Sequence, residues 1–329
     1  MRKNTKIIAF LLVLSMISIT ASGCGKSKNT SAEEEWPKKD ITIIVGYGPG
    51  GSTDTFARLL AKQLEKEFGR SVIVSNVAGG GGAVGYAQTL ASKADGYTVV
   101  VSNGSLLTLG GIGDVDYTFE DFDNIARVIV EDEAICVSKD SSFETISDLV
   151  NYAKENPGKL KVGFAGLGGF THLASMEFLK TAEIEVDPVG YGSGSEAVAA
   201  LMGGFVDMII QQPGEIYSQY KGGELNILAT IGTERHPLLS EIPTCKEEGI
   251  DLELYQWRGI SAPKGIPMNA KIAWINAIEK AIEDSEFTKE VQEVLLANKK
   301  LLVDKDFETW LDFESKWINP LIEELGLKK

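Results

Sequence analysis

Short apolar runs alternate with stretches of helical periodicity from Asp40 onward, and glycine-rich turns mark several of the changes between them. Residues 41–45 read as a buried strand. Ser52 or Thr53 then caps a helix whose apolar positions Phe56, Leu59, Leu60 and Leu64 recur at helical spacing. Strand 72–74, helix 83–94 and strand 97–101 complete a βαβαβ unit, the pattern of a parallel sheet covered on both faces. After Ser142 the pattern restarts, with helices at 146–155, 170–181 and 195–202 and strands at 160–164, 186–189, 206–210 and 226–230. Helices are expected at 268–284, 286–298 and 306–324, and extended segments at 125–137 and 252–262 lie between the units. If both segments cross between domains, the fold is α/β: two doubly wound lobes joined by a two-strand hinge. Domain 1 is then 38–130 plus 258–329, and domain 2 is 131–257.

The N-terminus carries a different signal. Arg2, Lys3 and Lys6 precede an apolar stretch, 7–19, that is short for a membrane span, and Ala21-Ser22-Gly23-Cys24 follows. Basic, apolar, small is the order of a secretory signal. Cysteine directly after Ala-Ser-Gly resembles a bacterial lipobox, which makes Cys24 the expected lipidation site and 1–23 a lipoprotein signal peptide. The polar stretch that follows fits a flexible tether at 24–37. The expected location is extracytoplasmic, anchored to the cell membrane.

The remaining chain of about 305 residues can bury a sizeable core and divide into two domains. Its formal net charge is −15, or −18 once Arg2, Lys3 and Lys6 leave with the signal. So acidic a surface argues against nucleic acid. It does not exclude an anionic ligand, because the global field is screened within about 8–10 Å. His172 and His236 are far apart, and Cys136 and Cys245 lack ligand spacing, so no metal is expected. The two cysteines could pair, though lone cysteines in such contexts are more often buried thiols.

Three glycine-rich turns stand where a strand gives way to a helix: 46–54, 166–172 and 191–197. Each can direct backbone N–H groups and a hydroxyl at an anion, helped by the positive end of the following helix. Glycine also permits close approach to the main chain. Ligands of open α/β sheets bind outside the carboxyl ends of strands, where these turns fall. For any one turn, the plain alternative is a tight connection capped by Ser or Thr. Gly46-x-Gly48-x-x-Gly51 also satisfies the dinucleotide fingerprint literally, but Ser75-Asn76 stands where an acid should meet the ribose, so no cofactor is expected. A hydrolase would need a paired nucleophile and base. Tyr191-Gly192-Ser193-Gly194-Ser195 is not a Gly-x-Ser-x-Gly elbow, and His172 opens a helix, so no catalytic residue is assigned.

Pro49-Gly50-Gly51-Ser52-Thr53-Asp54 with Arg58 resembles the opening motif of the tripartite tricarboxylate transporter substrate-binding proteins, also called the Bug family. Further likenesses run in order: Ala94-Asp95-Gly96-Tyr97-Thr98, Asn156-Pro157-Gly158-Lys159-Leu160, 191–200, Leu201-Met202-Gly203-Gly204-Phe205-Val206-Asp207, and Trp257-Arg258-Gly259. They cover essentially the whole chain beyond the tether. The resemblance implies a type II periplasmic-binding-protein-like fold, a non-enzymatic monomer, and a small organic carboxylate as ligand. It also implies delivery to a membrane permease of one large and one small multi-spanning subunit. Carried onto this chain, the ligand-binding residues are Tyr47, Gly51, Ser52, Thr53 and Asp54, then Gly168, Gly169, Phe170, Thr171 and His172. Tyr191, Ser193, Gly194, Ser195 and Glu196 follow from the third turn, with Ser102, Asn103 and Asp207 at further positions. Gly46-Tyr47-Gly48 replaces the Pro-Phe-Pro often seen in the family. The third turn is closer to the tricarboxylate branch, which tilts the expectation toward a di- or tricarboxylate, although Glu196 could instead select a ligand bearing an amine. A ligand-sensing subunit for a signalling partner is the alternative use of such a fold, and an exported hydrolase a more distant one.

Overall fold

The computed structural model describes residues 36–166 and 168–329. The expected signal peptide, Cys24 and nearly all of the expected tether lie outside the described residues. In chain order the strands are β1 (Ile41–Val45), β2 (Val72–Asn76), β3 (Thr98–Asn103), β4 (Phe122–Asp132), β5 (Ala134–Ser138), β6 (Lys161–Ala165), β7 (Asp187–Tyr191), β8 (Met208–Gln211), β9 (Leu225–Thr230), β10 (Tyr255–Pro263) and β11 (Asn298–Val303). The helices are α1 (Ser52–Phe68), α2 (Ala83–Leu90), α3 (Ser105–Ile112), α4 (Ile146–Glu155), α5 (Phe170–Thr181), α6 (Gly194–Met202), α7 (Pro213–Lys221), α8 (Met268–Glu283), α9 (Ser285–Glu293) and α10 (Asp304–Glu324).

These strands form two sheets, one for each lobe, ordered β11-β4-β10-β3-β1-β2 and β7-β6-β8-β5-β9. Both sheets are mixed rather than purely parallel. β1 runs parallel to β2 and β3, as β6 does to β7 and β8. In each lobe the strand that arrives from the other lobe is then inserted antiparallel: β10 between β3 and β4, and β5 between β8 and β9. The two lobes thus share one plan, and the inserted strands make the chain crossings structural members of the sheets they enter. This is the two-lobed α/β architecture of type II periplasmic binding proteins.

The elements form for local reasons. α1 ends where Gly69 takes the left-handed conformation at φ 60° and its N–H returns to Glu65 O. Thr145 caps α4 with a reciprocal box to Asp148. α3, with the sequence Ser-Leu-Leu-Thr-Leu-Gly-Gly-Ile, is buried over most of its surface and carries no amphipathic period, so periodicity does not reveal it. α7 follows a short buried strand with Pro213 in its first turn. The helix expected over 286–298 stops at Glu293; Leu296 turns to φ 49° and the chain leaves as β11 to pair with β4.

The core of the first lobe packs β1, β3 and β4 against α1, α8 and α9. Trp36, at the end of the segment read as a tether, packs edge-on against Phe68 and at a tilt against Tyr97 and Trp274. Trp274 is wholly buried and donates its indole N–H to Gly96 O at 2.9 Å. Cys136 and Cys245 are buried and free. Trp274→Ala should lower unfolding free energy by about 3–5 kcal/mol, as buried aromatic truncations do. Phe205→Ser, at a side chain 72% exposed, should change it by less than about 0.5 kcal/mol. Urea denaturation of both variants checks the pair.

Candidate functional site: a charged cleft between the lobes

The carboxyl ends of β1, β3, β6 and β8 carry the turns that face one another across the lobes. The turns meet through glycine. Gly166 holds φ 70°, and a Cβ there would lie 2.6 Å from Gly81 Cα of the other lobe, so only glycine allows the approach. Ser195 Oγ donates to Pro49 O at 3.4 Å, and Phe170 N donates to Ser105 Oγ at 3.0 Å. Thr108 Oγ1 donates to Gly168 O at 2.7 Å.

Between these turns lies a cavity lined by Tyr47, Gly51, Thr53, Asn103, Ala165, Thr171, Gly194, Gln212, Glu215, Gln256 and Arg258. Its volume is about 20 Å³, room for about one water, so a larger ligand requires the lobes to separate. Of the residues expected from sequence, Tyr47, Gly51, Thr53, Asn103, Thr171 and Gly194 line it. Ser52 lies at its edge on the N-terminus of α1. Asp54 turns away: burial alone would raise its pKa, but Arg58, the Gly50 N–H and Asn76 outweigh that and hold it low. Ser102 Oγ sits 2.8 Å from Ser261 Oγ inside the sheet. His172 stacks on Phe164, its Nδ1 accepts from Gly168 N at 3.2 Å, and burial pushes its pKa down, so the ring is a neutral packing element. Ser193 caps α6 by accepting from Glu196 N at 3.3 Å. Glu196 accepts from Gly192 N at 2.9 Å and is exposed, as is Tyr191 in part. Gly169 caps α5, whose first residue Phe170 is buried. Asp207 accepts from Lys161 N at 2.8 Å at the starts of β6 and β8, the opposite end of the sheet from the cleft.

The residues that dominate the cleft's charge come instead from the crossings and from α7. Arg258 on β10 pairs with Glu131 on β4 at 3.0 Å, both essentially fully buried. Ser52 Oγ also donates to Glu131. Glu133, between β4 and β5, accepts from Gln212 Nε2 at 2.8 Å. Glu215 reaches across from the second lobe and accepts the Ser52 N–H at the N-terminus of α1. The anion position expected from sequence is thus held by a carboxylate of the chain itself, where the unpaired N–H groups and the helix dipole favour it. Burial pushes Glu133 up to about 8 and Glu215 up to about 7, raises Glu131, and together with the Glu131 charge brings Asp132 to about 6. The acid run Glu131-Asp132-Glu133 inside an apolar strand, and Glu215 just after a Pro-Gly opening, were the sequence signals for these groups.

Among the described residues no group of His, Cys, Asp and Glu is placed to hold a metal, and no helix is long and apolar enough to cross a membrane. Two lobes built on one plan around a polar cleft define a solute-binding protein. A model of the tripartite tricarboxylate transporter family receptor matches residues 56–327, and the chain belongs to that family. A Pseudomonas sp. (strain P51) protein from the tcbD-tcbE intergenic region is 34% identical over 254 residues, 76% of this chain and 75% of that one. The periplasmic binding protein BugD superimposes with TM-score 0.85 at 24% identity, covering 89% of this chain and all of that chain. The R. palustris protein Rpa4515 with adipate also gives 0.85 at 24%, over 89% of this chain and 99% of its own. As a receptor of this family the chain binds a solute rather than transforming one.

Two outcomes follow from the charges. An acid with a raised folded pKa keeps its proton after the unfolded chain has released it, so its contribution to stability is lost as pH rises from the unfolded value to the folded one. For Glu133 and Glu215 that window runs from about 4.5 to about 8. Thermal melts of the ligand-free protein should therefore fall across it, and Glu133→Gln with Glu215→Gln should flatten the fall. Arg258→Met leaves Glu131 buried without its partner and should cost about 3–5 kcal/mol in urea unfolding. Adding Glu131→Gln should recover part of that.

Proposed function

We propose that this protein captures a small organic carboxylate between its lobes and delivers it to a membrane permease of one large and one small multi-spanning subunit. Acylation at Cys24 would hold it at the outer face of the cell membrane. The closing bodies would be 38–130 plus 258–329 and 131–257. The observation that carries this reading is the Glu215 carboxylate on the Ser52 N–H: the N-terminus of α1 accepts a carboxylate from the opposite lobe, and a ligand carboxylate would take that position in exchange. Thr171 and Gly194, at the starts of α5 and α6, face the same cavity. Each helix end contributes about 0.3–2 kcal/mol to an anion. Micromolar capture needs about 8 kcal/mol, so several ends plus hydrogen bonds would be used together.

Family membership supports carboxylate transport in general, and a fold relative that holds adipate makes a dicarboxylate a natural candidate. The tilt toward a di- or tricarboxylate drawn from the third turn stands within this reading, but each added carboxylate would have to face Glu215, with Glu131 and Glu133 close behind and Arg258 the one cation among the described lining residues.

A thermal-shift screen of citrate, tricarballylate, succinate, malate, adipate, aspartate, glutamate and nicotinate, with NAD and sugars as controls, tests the reading. A saturable rise for one or more carboxylates is expected, about 2.7 kcal/mol of added stability at a hundred times Kd. A response to NAD or a sugar alone would contradict it.

A further inference from the structure

The cleft holds more acidic groups than a carboxylate ligand can use. Among the described residues it receives Glu131 and Glu133 from the crossings, Glu215 from α7, and from β10 the guanidinium of Arg258; Asp132 points to the other face, beside Gly232. That guanidinium is already committed to Glu131 at 3.0 Å. Asp54 is paired with Arg58, Glu196 is held on the Gly192 N–H at the mouth, and Tyr47 adds only a neutral phenol. Among the described residues Glu215 and Glu133 share Arg258, their nearest cation, with Glu131.

Several polar atoms at this point lack partners. Arg258 is 1% exposed and lines the cavity, yet its Nε donates to nothing. Gln211 is fully buried with both amide atoms unpaired, and its Oε1 would lie 2.7 Å from a Cβ built on the cavity-lining Gly194. One carboxylate oxygen of Glu133 and one of Glu215 are likewise unpartnered. Buried polar groups are normally satisfied, and a set of orphans around one cavity points to a ligand that satisfies them. The orphans are of both kinds: a cationic donor at Arg258, acceptors at Glu215 and Glu133, and one donor and one acceptor on the Gln211 amide.

We propose that the ligand carries a cationic nitrogen beside its carboxylate, and that Glu215, backed by Glu133 and Gln211, receives that nitrogen. The proposal rests on the carboxylate reading above. When a ligand carboxylate takes the α1 N-terminus, Glu215 loses the Ser52 N–H that it accepts here. A ligand with carboxylates alone leaves Glu215 buried beside two further acids and the incoming charge. A ligand that brings an ammonium group supplies a second cation at the step that displaces Glu215 from the helix. Gly194 has a part in this: a side chain there would overlap the Glu215 carboxylate, with a Cβ 1.6 Å from Oε2, so glycine keeps the space in which Glu215 sits. The class of ligand is an amino-carboxylate, neutral or singly charged overall, rather than a polycarboxylate.

Isothermal titration of the purified protein at pH 8 tests this with matched probes: L-glutamate against 2-hydroxyglutarate and glutarate, and L-alanine against L-lactate and propionate. The amino member of at least one series should bind at least tenfold tighter than both analogues, and Glu215→Gln should remove that preference. In the wild type the preference should shrink as pH is lowered from 8 to 6, because Glu215 and Glu133 then hold protons in place of the ligand cation; this arm decides if Glu215→Gln does not fold. Hydroxy or deamino analogues binding as tightly as the amino acids would overturn the inference and leave the carboxylate reading in force. Binding of ethanolamine or putrescine with silence toward every carboxylate would overturn the carboxylate reading instead.

Discussion

The arrangement depends on the insertion of each chain crossing into the sheet of the lobe it enters. β10 is hydrogen-bonded to β3 on one side and β4 on the other, and its register with β4 runs from Tyr255 opposite Asp132 to Pro263 opposite Phe122. β5, a single residue beyond β4, is bonded to β8 and β9 in the same way. A crossing held at the centre of a sheet cannot fray independently of that sheet. Between the two sheets the chain passes only through the few residues around Glu133 and 252–254, where neither sheet claims it. The carboxyl ends of the central strands of both lobes are brought to face one another by the same insertion.

The charges of the cleft sit on these crossings. Glu131 and Arg258 lie on adjacent strands of the first lobe and pair within the sheet, so their ion pair is buried whether or not the lobes are closed. Glu133 stands at the crossing and Glu215 arrives from the opposite lobe, so their surroundings depend on closure. Desolvating an acid raises its pKa, and both are raised into the neutral range. Under the proposed function, closure, protonation and ligand charge would be coupled at one place, the contact between Glu215 and the start of α1. The glycines at 166 and 194 permit this by letting main chain and carboxylate come closer than any side chain would allow.

Much of the fold was legible because apolar periodicity and turn chemistry are local. β1, α1, α4 and α5 lie where spacing places them, and Gly69 and Thr145 end or begin helices as their residue types favour. The elements that were not legible obey longer-range constraints. α3 is buried on nearly every face and has no period, β11 exists because β4 offers an edge, and the antiparallel insertion of β10 is invisible to a strand count. At the cleft, the glycine turns were legible as anion-binding geometry, and the structure brings Tyr47, Gly51, Thr53, Asn103, Thr171 and Gly194 to one cavity. Asp207 was placed by its motif, yet the start of β8 points it to the far end of the sheet. Arg258, Glu131 and Glu215 could be joined into one site only when sheet pairing and lobe contact brought three distant stretches of sequence together.

The central claim is that the lobes close on a carboxylate, and small-angle X-ray scattering tests it most directly. A cavity of about 20 Å³ cannot admit a ligand without opening, so the ligand-free protein in solution should scatter as a particle more extended than this structure. Saturation with the carboxylate that raises its melting temperature should contract it to the profile calculated from the closed lobes. Saturable binding with an unchanged profile would contradict capture by closure.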